Sequence, residues 1–103
     1  MNDLERLVFD QDGFLTNPAL WDDSVAERLA GEDGLGTLQA AQRAMLHALR
    51  EHYFRTGGVP ALSHLCLSRH FDRRCMTELF PSTREAWRLA GLPNPGEEAK
   101  AYM

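Results

Sequence analysis

The sequence predicts a mainly helical α+β domain of about five helices with a small N-terminal β-hairpin. Three observations carry this. Leu38, Ala41, Met45, Ala48, Leu49 and Tyr53 recur at helical spacing and form one apolar stripe. Helix start and stop signals punctuate the chain from Asn17 onward. Val8-Phe9 and Phe14-Leu15 flank a turn-rich stretch ending in Asp12-Gly13, which is a hairpin signal. A lone hairpin is marginal in water, so this one must pack on the helices.

In chain order, Asn17-Pro18 offers an N-cap followed by proline at the first helical position. Ser24 and Glu27 form a competing capping box, and the first helix then runs to about Glu32 with Trp21, Val25 and Leu29 inward. Gly31, Gly34 and Gly36 loosen the chain into a loop. The longest helix spans about Leu38 to Arg55, capped by Thr37 and stopped at Gly57-Gly58. Pro60 opens a third helix with Leu62, Leu65 and Cys66, and Asp72 caps a fourth through Cys75, Met76, Leu79 and Phe80. Ser82-Thr83-Arg84-Glu85 is a capping box for the last helix, which Gly91 and Leu92-Pro93 terminate. Residues 1–95 form one domain, and the small, charged, aperiodic residues 96–103 read as a mobile tail.

At 103 residues the chain has room for one modest core. No apolar run approaches the roughly 20 residues of a membrane span. The acidic start, Met1 to Glu5, shows no signal peptide, so Cys66 and Cys75 are expected as reduced thiols in the cytoplasm. Net charge is −4, but residues 1–36 hold nine acids and two bases while residues 37–95 hold four acids and eight bases. Ten of the eleven bases are Arg, which favours fixed, bidentate contacts. An acidic front and a basic rear are suited to aligning a partner, and are also common on surfaces with no such role.

His64, Cys66, His70 and Cys75 match no paired-ligand spacing of structural zinc, so no metal site and no cofactor is expected. Both cysteines read as small core hydrophobes. Cys75 also follows Arg73-Arg74 near a helix start, where positive charge would lower a thiol pKa, so Cys75 and Cys66 are the substitute-thiol candidates. Nothing marks a nucleophile elbow or a catalytic carboxylate pair, so no enzyme activity is expected. The helices from Pro60 and Asp72 form a helix-turn-helix-like element bearing Arg69, His70, Arg73 and Arg74, with Arg84 and Arg88 further on. These arginines, with Trp87, are the candidate partner-binding residues. Trp87 has two readings, a core wedge or an exposed anchor.

Leu79-Phe80-Pro81 and then Glu85-Ala86-Trp87-Arg88-Leu89-Ala90-Gly91-Leu92-Pro93-Asn94-Pro95 resemble the C-terminal signature of the DsrC/TusE family. That signature reads roughly Leu-Phe-Pro, a turn, then Gln-Ala-Cys-Lys-Ile-Ala-Gly-Leu-Pro-Lys-Pro, with a second Cys near the end. Asp10 to Leu15, Trp21, Glu32 to Leu35, Leu49-Arg50, Tyr53 and Pro60 extend the resemblance over most of the chain. The family's first Cys position is Trp87 here, and the second falls at about Glu98. A persulfide needs a thiolate, and neither residue supplies one. The resemblance implies partners of the sulfur-relay type: a sulfurtransferase complex, sulfite reductase, or the enzyme of tRNA 2-thiolation. It therefore suggests a non-catalytic relative that binds such partners and modulates sulfur relay or sulfur-related gene expression. The alternatives are a relay carrier with an unusual thiol, and a DNA-binding regulator acting through the Arg-bearing helix pair.

Overall fold

The computed structural model describes residues 7–101 and 103. Among the described residues six α-helices pack around one core: α1 (Asp23–Glu32), α2 (Ala40–Thr56), α3 (Leu62–Ser68), α4 (Cys75–Leu79), α5 (Thr83–Leu89) and α6 (Glu97–Lys100). A 3-10 turn, Pro18–Leu20, precedes α1 and is capped by the Asn17 side chain. Asp22, rather than Ser24, caps α1. Its carboxylate accepts from Val25 N at 3.0 Å and also holds the Ser24 hydroxyl at 2.6 Å, so Ser24 is unavailable for the expected box. The long helix α2 starts at Ala40, two residues later than expected, because Gln42 Oε1 reaches back to the Gln39 amide at 2.7 Å. Gly57 stops it in a left-handed conformation.

The N-terminal β-hairpin does not form as strands among the described residues. Phe9 and Leu15 make a single antiparallel bridge. Between them the Asp10 carboxylate accepts the amides of Asp12 and Phe14 at 2.9 and 3.0 Å. A side chain thus replaces part of the ladder that strands would need.

Phe14, Leu15, Trp21, Val25, Leu29, Met45, Leu46, Leu49, Cys66, Met76, Trp87, Leu89 and Leu92 are among the buried residues that form the core. Arg50 fastens the centre of it. Its guanidinium stacks 4.3 Å over the Trp21 ring and donates to the carbonyls of Ala90 and Pro18, each at 2.9 Å. The last long turn is thereby tied to the first. Where composition predicts a mobile tail, Glu97–Lys100 forms a short helix. Lys100 Nζ lies 2.6 Å from Asp12, and this ammonium holds the Asp12 carboxyl below its ordinary pKa.

Candidate functional site

Two regions bear the expected site residues, the α5 signature segment and the α3–α4 pair. Ser82 caps α5 through its hydroxyl, which accepts from Glu85 N at 3.0 Å. The reciprocal half of the expected box is absent, because the Glu85 carboxyl turns toward Asp33 at the end of α1. Arg88 clamps Asp33 with two bonds of 2.9 and 3.2 Å and donates to Gly13 O at 2.6 Å. Arg88 and Asp33 each stabilise the other's charge, raising the arginine pKa and lowering the aspartate's. Glu85 is left as the third member. Burial first, then its contact with Asp33, pushes its carboxyl up to about 7, and its Oε2 has no hydrogen-bond partner.

Trp87 is buried, 1% exposed, with its indole N–H donating to Pro93 O at 2.8 Å and Tyr53 packed edge-on. Its reading as an exposed partner anchor is thus corrected: the ring packs in the core, at the position that the resemblance matches to a cysteine. Gly91 takes the left-handed conformation that α5 needs to end, and Leu92 follows into the core. Glu98, near the place where the resemblance puts a second cysteine, is exposed on α6.

The two cysteines are not free thiols. Cys66, at the end of α3, and Cys75, at the start of α4, form a disulfide. The expectation of reduced thiols fails because the helix-turn-helix packing brings their Cα atoms to 5.8 Å, within disulfide range. Both residues are buried. Among the described residues no three His, Cys, Asp or Glu side chains gather to hold a metal ion.

The arginines divide into two sets. Arg84 pairs with Asp12 at 3.5 Å and lies over the Phe14 ring, and Arg88 is engaged with Asp33, so both are occupied internally. Arg84 remains exposed beside its pair, whereas Arg88 is partly buried. Three acids of the front meet arginines of the rear, through Asp12–Arg84, Glu27–Arg43 and Asp33–Arg88, and Asp12 also meets Lys100 of the tail. Arg69 pairs with Glu51 of α2 at 2.7 Å. Arg73 and Arg74 are exposed and make no ion pair within the described residues. Two cations at the start of α4 oppose its dipole, so they do not serve that helix.

An open cleft of about 430 Å³ separates α2 from α3, lined by His52, Arg55, Pro60, His64, Leu65 and Ser68. It adjoins a second hollow that reaches Glu51 and Arg69. Local spacing does not show this cleft, because it groups His64 with Cys66, His70 and Cys75 rather than with His52. The available signal was that His52 and His64 fall on consecutive helices joined by a short Gly-Pro link.

The family model described as DsrC like protein matches residues 2–97. The chain belongs to this DsrC-like, sulfur-relay family. A relative, the sulfurtransferase TusE of Sodalis glossinidius (strain morsitans), is 28% identical, covering 84% of this chain and 87% of its own length. The crystal structure of dissimilatory sulfite reductase I (DsrI) superposes with a TM-score of 0.77 at 29% identity, covering 88% of this chain and 89% of that one. The oxidised gamma-subunit DsrC from Archaeoglobus fulgidus gives 0.74 at 27% identity, over 88% and 90% of the two chains. The gamma-subunit from Pyrobaculum aerophilum gives 0.73 at 31%, over 88% and 85%. The DsrC-like fold is therefore shared almost end to end. No described helix is long and apolar enough to cross a membrane.

Proposed function

We propose that this DsrC-like protein binds protein partners of the sulfur-relay type and modulates sulfur traffic without carrying persulfide itself. The observation that carries the reading is the buried Trp87, which fills the family's thiol position with an indole hydrogen-bonded to Pro93. A relay thiol must be ionised and must reach a partner's active site. Here the signature position is sealed and the chain's only two cysteines are joined to each other.

Partner contact falls to the exposed residues between α3 and α4, where Arg69, Arg73 and Arg74 stand within six positions and Arg69 lines the hollow that adjoins the α2–α3 cleft. Such a face suits an acidic protein surface, since guanidinium groups pair with carboxylates in fixed geometry. With a net charge of −4, long-range attraction to DNA starts at a disadvantage.

The test is a pull-down from native lysate with the parent protein and with Arg73→Glu/Arg74→Glu. The parent should retain sulfurtransferase or sulfite-reductase subunits, and the double variant should lose them while keeping its helical circular dichroism. Equal recovery by both proteins removes this face. Recovery of transcription components alone by the parent points to the regulatory alternative.

A second reading, relay through Cys66 or Cys75, draws on their adjacency: a persulfide formed on one sulfur would sit beside the thiol able to resolve it. It requires the disulfide to be reduced first.

A further inference from the structure

We propose that the Cys66–Cys75 disulfide is a redox-controlled clamp on the arginine-bearing turn, so that the docking face exists in the oxidised protein and loosens on reduction. The partner side of this inference rests on the docking reading above; the clamp itself rests on local structure alone.

Four observations carry it. The α3 and α4 helices have seven and five residues, and neither has a side-chain N-cap. Helices this short do not hold themselves in water. The link between them, residues 69–74, passes through His70 at φ 66°, a left-handed conformation that a residue with a Cβ resists. His70 there completes the end of α3: Phe71 N donates to Cys66 O at 2.9 Å, and His70 N to Leu67 O at 3.0 Å. Cys66 is thus both the carbonyl that accepts the turn and the sulfur that ties it to α4. Apart from that covalent tie, the turn is held by the half-buried Phe71, by Asp72, whose carboxylate accepts the Arg74 amide and whose carbonyl accepts the Cys75 amide, each at 2.9 Å, and by the exposed Arg69–Glu51 pair, a contact that salt weakens.

Both sulfurs are buried, so a reductant reaches them only when this segment opens. The chemistry needs a dithiol reductant. Its thiolate attacks one cysteine sulfur, the Cys66–Cys75 bond breaks, and the other cysteine leaves as thiolate. The reductant's second thiol then attacks the mixed disulfide and releases the first cysteine. An electron pair passes to the protein, both cysteines end protonated, and the reductant ends as its own disulfide. Two thiols then stand where a bond stood, and nothing covalent opposes relaxation of the strained turn.

The test is hydrogen exchange read by mass spectrometry on the oxidised full chain and on the same chain held in dithiothreitol, with thiols counted by alkylation. In the reduced protein, amides of residues 67–78 should exchange roughly tenfold faster or more, while α2 and α5 keep their rates within about twofold. The Cys66→Ser/Cys75→Ser variant should match the reduced form. Unchanged exchange after complete reduction overturns the clamp. So does uniform acceleration across all helices, which would make the bond a global staple, and so does reduction that proceeds only in denaturant.

The partner arm uses a labelled polyglutamate peptide as an acidic probe. Affinity should fall about tenfold on reduction, mirroring the exchange change. Equal affinity of both redox forms, with loss on Arg73→Glu/Arg74→Glu, overturns redox control and leaves the docking reading standing. Insensitivity to that arginine pair removes the docking reading, and the exchange result alone then decides the clamp.

Discussion

Gly91 lies against the face of Trp21 so closely that a methyl group added there would overlap the ring at Cγ and Cδ1. The same glycine sits at φ 67°, and the Trp21 indole donates to Leu89 O at 2.7 Å just before it. A turn that ends α5 and a side chain that precedes α1 therefore occupy one another's space to the limit. The measurable consequence is that Gly91→Ala combines backbone strain with overpacking. It should cost about 3 kcal/mol or more in a denaturant melt. A midpoint equal to the parent's would mean that Trp21 can swing away at no cost.

Ser82→Ala should cost about 1 kcal/mol, the usual loss of an N-cap hydroxyl. Because Glu85 does not return the bond to the Ser82 amide, Glu85→Gln should leave the cap intact. Urea midpoints of the two single variants separate these roles, and a cap effect from Glu85→Gln would restore the full box.

Glu85 also predicts a pH dependence. Its carboxyl titrates near 7 in the folded chain against an ordinary value of 4.5, so the folded state holds the proton more tightly than the unfolded one. This group's contribution is therefore complete below about pH 4.5, falls as pH rises through 7, and is gone above. Glu85→Gln, which installs the amide of the family signature, should flatten stability across pH 5–8. It should raise stability at pH 8 by about 1–2 kcal/mol, a figure discounted for the solvent around the carboxyl. The Asp33 partner works in the opposite sense, since Arg88 lowers its pKa, and it acts only below about pH 4. A parent whose midpoint is level from pH 5 to 8 would place Glu85 in water.

Treatment of the oxidised protein with a sulfur donor should leave its intact mass unchanged, with no stoichiometric gain of about 32 Da, because persulfide formation starts from a thiolate. A single addition abolished by Cys75→Ser would instead promote the relay reading.

The helices that carry the signature were largely legible. Gly57 and Gly91 end α2 and α5 where left-handed glycine is required, and Ser82 caps where a hydroxyl precedes a helical stripe. Local chemistry decides such positions, so one sequence suffices to find them. What escaped was set by packing at a distance. The end of α3 uses His70 in a place usually given to glycine, so it carried no composition signal. A nine-residue separation between Cys66 and Cys75 does not say that they meet, and only the crossing of α3 and α4 does. Arg69, Arg73 and Arg74 were recognisable as a group because they are neighbours in sequence. Arg84 and Arg88 lie further along the chain, and their pairing with carboxylates more than fifty residues away is set by packing that the sequence does not display.

The ties between the first and last thirds of the chain also govern how it is made. Trp21 waits for Leu89, Asp33 for Arg88 and Asp12 for Lys100, so none of these bonds exists while the ribosome is still building α5. Until then Val25 and Leu29 have no last helix to cover them, and contacts of such long sequence separation are slow to close. A nascent chain halted before Leu89 therefore presents an uncovered apolar stripe. The interval between the synthesis of α1 and that of α5 is thus the period in which this surface is open to aggregation.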